Sequence, residues 1–400
     1  MLFNHRTGIK ILASAMTLTA TIAAERTHAE NSDTDVPVFI TLGQSNADGS
    51  AMFDAAIDSA MLEWYSSEAN TGLIKIWYKS TKVENQESNA LGEASRWAVD
   101  GPVEDAEPGW MNLWYRNENT LGRTAMNIIH GYGSYSTGSS TNCAQGRRGM
   151  EGMFGKEFAS AMPETQLYIL KLGVSGSFIS SWANPADDTN WTYFYENIFK
   201  PAISDLLAAG KRPRLAGVWW MQGCADHDAS AEYYGECLER LISRINNKLG
   251  FNNARIYIGH IIKPGESDKT PTGSPQFGQG VRDAQDHVAD AHGQVEIVDT
   301  RNFEMQYESA FKGYLHFSHA GVNAIGADLA SRVLAEGPEN WTAFSTPGKW
   351  KQTGTTAVFI PDFGNPDITY TENGDSVTAI IRYPGFNDVK TFVTDDTKNM

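Results

Sequence analysis

Short apolar runs that alternate with longer amphipathic segments constrain the fold of this chain more than any other feature. The first run, residues 36–42, is apolar apart from Thr41 and ends at Gly43, as is typical of a buried strand. Further strands are predicted over residues 73–78, 165–172, 215–220, 254–259 and 295–298. Helical patterns cover residues 152–161, 191–209, 229–249, 278–291 and 320–335. This alternation predicts an α/β fold, a three-layer α/β/α sandwich with a mostly parallel sheet.

The pattern changes near residue 338. Short strands are predicted over residues 357–360, 368–371 and 377–383, and Asn373-Gly374 is a hairpin-turn dipeptide. We therefore expect a main domain over residues 36–337, followed by a small β-rich appendage over residues 338–400.

The first 29 residues have the pattern of a secretory signal peptide. His5, Arg6 and Lys10 flank the start of an uncharged, largely apolar stretch over residues 11–24, which is too short to span a bilayer comfortably. No later stretch is long and apolar enough for a membrane helix. The sequence therefore predicts a secreted or periplasmic protein after removal of residues 1–29.

Charge and cysteine content restrict the partners. The 400 residues carry a formal net charge of −16, which argues against nucleic acid or an anionic membrane as the main partner, because both require basic patches. It fits a neutral substrate. The three cysteines are Cys143, Cys224 and Cys237; a disulfide from Cys224 to either of the others would leave one thiol over. Their spacing does not suit zinc, so we expect no metal and no cofactor. The oligomeric state stays open.

Two segments interrupt the alternation. Residues 52–119 are rich in aromatic side chains, which form either local core with a surface loop or a wall that stacks on sugar rings. The tryptophans in this segment are Trp64, Trp77, Trp97, Trp110 and Trp114. Residues 131–149 are rich in Gly and Ser, which predicts a mobile loop.

Four short motifs mostly fall at the ends of predicted strands, where ligands bind in such folds. They are Gly43-Gln44-Ser45-Asn46, residues 173–177, the run from Trp220 to Asp226, and the run from Leu315 to Gly321. Ser45 lies on a turn whose N–H groups can stabilise an oxyanion, and the Gln222 side chain can donate to the same charge. His316 is a candidate base, with His319 as its competitor. Each motif alone also has a structural interpretation: a helix cap, a glycine turn, a buried amide or a buried imidazole.

Together, and in this order, the four motifs resemble the SGNH-hydrolase superfamily, in particular its sialate O-acetylesterase-like branch, which includes carbohydrate esterase family six. The matching positions cover roughly residues 36–334: the GQSN block with Gly49, then Lys171, Ser175, Gly176, Ser177 and Trp182, then Trp220, Gln222, Gly223 and Asp226, then His316, Phe317 and Gly321. The resemblance implies a flavodoxin-like fold and an esterase that acts on acetylated carbohydrate through an acyl-enzyme. It implies Ser45 as nucleophile and His316 as general base. The implied oxyanion donors are the N–H groups of Ser45 and Gly176 and the side chain of Gln222.

The chain departs from this pattern at two positions. Gly313 stands where the family has the acid that orients the histidine, and Cys224 stands where the third motif has glutamate. We expect Asp226 to take the orienting role. Three further acids are alternatives: Asp299, Glu304 and Glu308. A catalytically degenerate carbohydrate-binding protein on the same fold is the alternative function. A lipase-like relative is a weaker one, because no apolar lid helix is evident.

Overall fold

The computed structural model describes residues 35–51, 60–61, 63–65, 67–78, 109–113, 149–174, 176–261, 278–308, 313–353 and 356–393. The predicted signal peptide, residues 131–148 of the predicted mobile loop, Trp97, Trp114 and Cys143 lie outside the described residues. The strands of the main sheet are β1 Asp35–Gly43, β2 Ile74–Tyr78, β3 Gly109–Asn112, β4 Leu167–Gly173, β5 Arg212–Met221, β6 Ile256–Gly259 and β7 Val295–Val298.

Parallel pairing dominates this sheet. Within the described residues the strand order is β3-β2-β4-β1-β5-β6-β7. β1 lies at the centre and pairs in parallel with β4 and β5. The antiparallel exceptions are β3 at one edge and a short strand, Thr342–Ala343, that joins the amino-terminal part of β5. The predicted α/β fold with a mostly parallel sheet is confirmed.

Helices cover both faces of the sheet. In chain order they are α1 Ser45–Asp48, α2 Glu151–Ala161, α3 Ser180–Ala183, α4 Thr189–Phe194, α5 Lys200–Ala208, α6 Ala231–Lys248, α7 Gln279–Ala291 and α8 His319–Glu336. α2 and α8 share one hydrophobic cluster with Phe39 and Ile169 of the sheet. α4 to α7 share the other with Ile40 and Leu170. Because successive strand side chains point to opposite faces, adjacent residues of β1 and β4 fill the two cores.

Local sequence explains the longer helices. α6 buries a stripe that recurs every three or four residues, from Tyr234 to Ile245. The residue before it, Ser230, caps the helix, because its side chain accepts a hydrogen bond from the Tyr233 N–H group. The helix predicted over residues 191–209 is interrupted by a π-helical turn, Tyr195–Phe199, between α4 and α5.

The described tryptophans of residues 52–119 favour the core interpretation. Trp77 is 3% exposed and packs edge-to-face on Trp110 with ring centroids 5.3 Å apart. Trp110 in turn packs edge-to-face on Tyr168 of β4. These rings stabilise the edge of the sheet and are not displayed as a wall.

Except for β10, the last strands form separate small sheets. β8 Met305–Glu308 pairs with β9 Gly313–Phe317, and β10 Thr342–Ala343 is the strand that joins β5. The C-terminal strands are β11 Gly348–Thr353, β12 Thr356–Pro361, β13 Asp367–Asn373, β14 Ser376–Tyr383 and β15 Phe386–Val393. Phe359, Phe363 and Ile381 pack into the same hydrophobic cluster as α5 and α6. No helix in the described part of the chain is long and apolar enough to cross a membrane.

Candidate active site

Ser45 lies on a tight turn at the carboxyl end of the central strand. The ends of three strands are level here, because Gly43 of β1 is in register with Gly173 of β4 and with Met221 of β5. Gly43 has φ +143°, and a Cβ atom there would lie 2.2 Å from the Met221 carbonyl oxygen. Only glycine allows this approach. Gly173 is needed for a similar reason, since its Cβ would lie 2.4 Å from the backbone of Asp48.

The first and third motifs are joined through Gln44. Its side-chain oxygen accepts hydrogen bonds from the N–H groups of Gly223 at 3.1 Å and Ala225 at 3.2 Å. Its own N–H group donates to the Met221 carbonyl oxygen at 3.0 Å. These bonds fix the turn of Ser45 against the loop that follows β5.

His316 reaches Ser45 from strand β9. The His316 Nε2 atom lies 2.9 Å from the Ser45 Oγ atom. Both residues are buried, at 2% and 4% exposure. Sequence reasoning predicted this histidine in the segment before a helix; it is on a strand, and α8 begins at His319. The hydroxyl and the imidazole are thus placed for proton transfer between them.

Asn46 links the same turn to the strand of His316. Its Nδ2 atom donates to the Leu315 carbonyl oxygen, and its Oδ1 atom accepts from the Phe317 N–H group, both at 3.2 Å. Sequence reasoning gave Asn46 no role of its own. We call Ser45, Asn46 and His316 the dyad cluster.

Gln222 is held in a second cluster, and its amide is not free. Its Nε2 atom donates to the Ser177 carbonyl oxygen at 3.0 Å and to the Asp226 Oδ2 atom at 2.5 Å. Its Oε1 atom accepts from the Tyr234 hydroxyl at 2.9 Å. Both N–H bonds of the amide are therefore used within the protein. In this structure the buried amide of Gln222 holds a loop through Ser177 and Asp226, and its expected role as an oxyanion donor stays a prediction.

Asp226 belongs to that second cluster and does not hydrogen-bond to His316. Its carboxylate accepts from the Gln222 side chain and from the Ile179 N–H group at 2.9 Å. The expectation that Asp226 orients His316 is corrected, because the loop after β5 directs this carboxylate toward residues 177–179. Burial raises the pKa of Asp226, and the bonds from Gln222 and Ile179 oppose this shift. We call Gln222, Asp226 and Tyr234 the amide cluster.

The loop after β4 carries Gly176, the other expected oxyanion donor. Gly176 has φ +69°, and a Cβ atom there would meet nothing within 4 Å. Ser177 is anchored through its carbonyl oxygen to Gln222 and through its Oγ atom, which accepts from Trp182 Nε1 at 3.2 Å. Ser175 lies outside the described residues. The amide cluster thus supports the loop on which Gly176 lies.

Asp299, Glu304 and Glu308 remain predicted candidates for the acid that orients His316. Glu304 is exposed, and its backbone carbonyl oxygen accepts from the Ser318 N–H group at 2.9 Å. Asp299 lies at the end of β7. The side chain of Glu308 lies outside the described residues.

A buried ion pair lies near the end of β4, and sequence reasoning missed it. Lys171 Nζ is 2.8 Å from Glu151 Oε1, and both side chains are 0% exposed. Burial raises the pKa of Glu151, and Lys171 opposes that shift. The signal was a lysine inside the apolar run of β4, because a buried lysine requires a partner.

Two of the three cysteines, Cys224 and Cys237, lie in the described part of the chain. Cys224 and Cys237 are both free thiols, so the disulfide considered between them does not form. Burial, aided by Asp226, raises the pKa of Cys224 to about 11. Among the described residues no group of three or more His, Cys, Asp or Glu side chains could hold a metal ion. Independence from metal stays a prediction.

Comparison with known proteins shows the family to which the chain belongs. A family model described as "Carbohydrate esterase, sialic acid-specific acetylesterase" matches residues 35–335. The chain belongs to this family. The match spans β1 through α8, and therefore includes Ser45, the amide cluster and His316. The predicted family is confirmed, and the chain is a carbohydrate esterase by family.

The similarities to solved structures are weaker than the family match. A protein from Arabidopsis thaliana is 16% identical, with a TM-score of 0.45 over 75% of this chain and 98% of that one. A carbohydrate acetylesterase from Xanthomonas citri is 16% identical, with a TM-score of 0.43 over 87% of this chain and 63% of that one. An α/β hydrolase from the metagenome of Lake Arreo, Spain, is 17% identical, with a TM-score of 0.31 over 48% and 84%. No curated protein matches the chain.

Proposed function

We propose that this carbohydrate esterase is an exported serine esterase that removes acetyl groups from carbohydrate hydroxyls. The single observation that carries the proposal is the 2.9 Å contact between His316 Nε2 and Ser45 Oγ at the carboxyl edge of the sheet. A neutral imidazole in this position can accept the hydroxyl proton as the serine oxygen attacks an ester carbonyl.

The steps follow from the dyad cluster. The Ser45 oxygen forms a bond to the acetyl carbon, and its proton passes to His316 Nε2. The N–H groups of Ser45 and Gly176 stabilise the oxyanion. Collapse of the intermediate breaks the bond to the sugar oxygen, which takes the proton from His316. Water then attacks the acetyl-serine with His316 as base, which releases acetate and restores Ser45.

The rest of the chain fits a role outside the cytoplasm. We propose that residues 1–29 are removed on export and that residues 338–400 are an appendage to the esterase domain. The net charge of −16 suits a neutral glycan better than a polyanion. Amino-terminal sequencing of the protein recovered from periplasm or medium tests the export: a mature chain that begins at Glu30 supports it, and an intact Met1 contradicts it.

The second candidate is a binding protein that has lost catalysis. Two observations favour it: Gly313 stands where the family has an acid, and the Gln222 amide is engaged with Ser177 and Asp226. Loss of the orienting acid lowers the rate of a serine hydrolase by on the order of 10⁴-fold and does not abolish it. A serine–histidine pair with two backbone donors therefore remains a catalyst.

Acetate release separates the two functions. The wild-type protein and the Ser45→Ala variant are incubated with O-acetylated xylo-oligosaccharides, O-acetylated sialic acid and an N-acetylated sugar as amide control. The esterase proposal expects acetate from at least one O-acetylated glycan with the wild type only. Glycan binding by calorimetry in a folded wild type that releases no acetate would favour the binding protein instead.

A further inference from the structure

The Asn46 side chain sits between the nucleophile turn and the strand of the base. It is 8% exposed. Its two hydrogen bonds reach the peptide groups on either side of His316, at Leu315 and Phe317. The neighbouring Ser45 contacts His316 itself. Two consecutive residues of the first motif therefore hold three consecutive residues of β9.

The bonds of Asn46 lie on the edge of β9 that faces away from β8. The Ser318 N–H group donates to the Glu304 carbonyl oxygen, next to β8. Since successive peptide groups of an extended chain point in opposite directions, the Phe317 N–H group points to the other edge. The Leu315 carbonyl points the same way, because it binds the same carboxamide. There the carboxamide of Asn46 offers one donor and one acceptor, as a neighbouring strand would.

We propose that Asn46 is a positioning residue that fixes the backbone around His316, so that the imidazole stays within reach of the Ser45 hydroxyl. The inference rests on the proposed serine esterase. It does not depend on which group contacts the second ring nitrogen of His316. A displacement of about 1 Å between reacting groups can cost on the order of 10²-fold in rate, so the loss of both bonds should lower kcat.

The test compares Asn46→Ala with a matched control, Ser318→Ala. Ser318 is close in sequence to His316 and caps α8, because its Oγ atom accepts from the Gly321 N–H group at 3.1 Å, but it makes no bond to Leu315 or Phe317. We expect Asn46→Ala to lower kcat by on the order of 10²-fold with KM changed by less than about twofold. Ser318→Ala should lower the unfolding temperature and leave kcat within about threefold of wild type.

A second variant and a second readout keep the test decisive. Asn46→Asp retains the acceptor for the Phe317 N–H group and loses the donor to Leu315, so its kcat should lie between those of wild type and Asn46→Ala. The rate of fluorophosphonate labelling of Ser45 should follow the same order without a glycan substrate. A kcat for Asn46→Ala within about threefold of wild type, or an equal loss in Ser318→Ala, would overturn the inference. Absence of both labelling and acetate release in the wild type would instead overturn the proposed function.

Phe178 carries an independent inference about the substrate. It is 57% exposed, although the residues on both sides of it are anchored by the amide cluster: Ser177 through Gln222 and Ile179 through Asp226. Its own carbonyl oxygen accepts from the Ser181 Oγ atom at 2.7 Å. A fixed main chain therefore presents an aromatic ring to solvent on the loop of Gly176.

We infer that the Phe178 ring contacts the sugar that bears the ester, because flat aromatic faces pack on the apolar faces of pyranose rings. This too rests on the proposed esterase. Phe178→Ala should raise KM for an acetylated oligosaccharide about tenfold and leave kcat/KM for methyl acetate within about twofold, and Phe178→Trp should restore KM. Tyr370→Ala, which alters a 38% exposed ring of the C-terminal sheet, is the control and should change neither. An unchanged KM for the oligosaccharide in Phe178→Ala, or an equal loss on methyl acetate, would overturn the inference. A wild type inactive on methyl acetate as well would count against the esterase itself.

Discussion

The dyad cluster and the amide cluster lie side by side at the carboxyl edge of the sheet and differ in what their hydrogen bonds leave available. In the dyad cluster a hydroxyl faces an imidazole nitrogen at 2.9 Å, an arrangement in which one proton can move. In the amide cluster both N–H bonds of Gln222 and the Tyr234 hydroxyl end on acceptors within the protein. The first is arranged for the proposed proton transfer, whereas the hydrogen bonds of the second are directed to its neighbours.

This difference shows that residue type in a motif does not by itself assign a role. Gln222 and Asp226 have side chains suited to catalysis, and both are engaged in support of the loop of Gly176. Asn46 has a modest side chain, and it reaches both flanks of the base. Substitutions in the dyad cluster and in the amide cluster should therefore affect kcat to different extents.

The largest expected effect belongs to the dyad cluster. His316→Ala should lower kcat by on the order of 10⁴- to 10⁶-fold, because it removes the group that accepts the Ser45 proton. His319→Ala is the matched control, since His319 is also buried, at 3% exposure, and begins the next helix. It should keep kcat within about tenfold of wild type. Acetate release or aryl acetate hydrolysis measures both. Equal losses in the two variants would remove the distinction between these histidines.

The next largest effect concerns stability at the Lys171–Glu151 pair. Lys171→Met leaves a buried carboxylate without its cation and should lower the free energy of unfolding by about 3–5 kcal/mol. Adding Glu151→Leu should recover most of this loss, because the pair is then replaced by apolar side chains. The partly exposed pair of Lys156 with Glu157, at 2.9 Å, is the control, and Lys156→Ala should cost less than about 1 kcal/mol. Chemical denaturation that shows equal losses for both lysines would contradict this account.

Asp226 offers the sharpest contrast between a catalytic and a supporting carboxylate. Asp226→Asn can keep an oxygen facing the Ile179 N–H group and the Gln222 amide, so we expect kcat within about threefold of wild type. An acid that oriented His316 would instead cost on the order of 10⁴-fold on this substitution. Asp226→Ala loses both bonds and should lower kcat about 10- to 100-fold through the loop of Gly176. If the Asn and Ala variants were equally inactive, the supporting role would be wrong.

The smallest expected effect is at Cys224, which occupies the position of the family's glutamate. Because burial raises the pKa of Cys224 to about 11, the thiol is neutral near physiological pH and cannot supply the negative charge of a carboxylate. Cys224→Ser should change kcat by less than about twofold. A loss of more than about tenfold in a folded variant would mean that the sulfur acts in the site.

Much of the fold could be predicted because apolar periodicity is local. The strand predicted over residues 295–298 is β7, and the helix predicted over residues 278–291 is α7 within one residue. β9 was missed, because its five residues surround His316 with too short an apolar pattern to separate strand from loop. The Lys171–Glu151 pair was missed for a different reason: its partners are distant in sequence, and no local pattern joins them.

The site was partly predictable on the same grounds. Ser45 and His316 were identified by their motifs, and the structure brings them together. The partner of Asp226 was predicted incorrectly and the bonds of Gln222 were not predicted, because Ser177 and Ile179 come from a loop 45 and 47 residues earlier. A motif specifies which groups are near the site, and the fold decides which of their hydrogen bonds are already used.

The most direct test of the dyad cluster is covalent labelling with a fluorophosphonate, measured by intact mass and peptide mapping. We expect a single adduct, on Ser45, that is absent from Ser45→Ala and forms far more slowly in His316→Ala. Asp226→Asn should label at nearly the wild-type rate. No adduct on the folded wild-type protein, or an adduct on a different serine, would contradict the claim that Ser45 and His316 form the reactive pair.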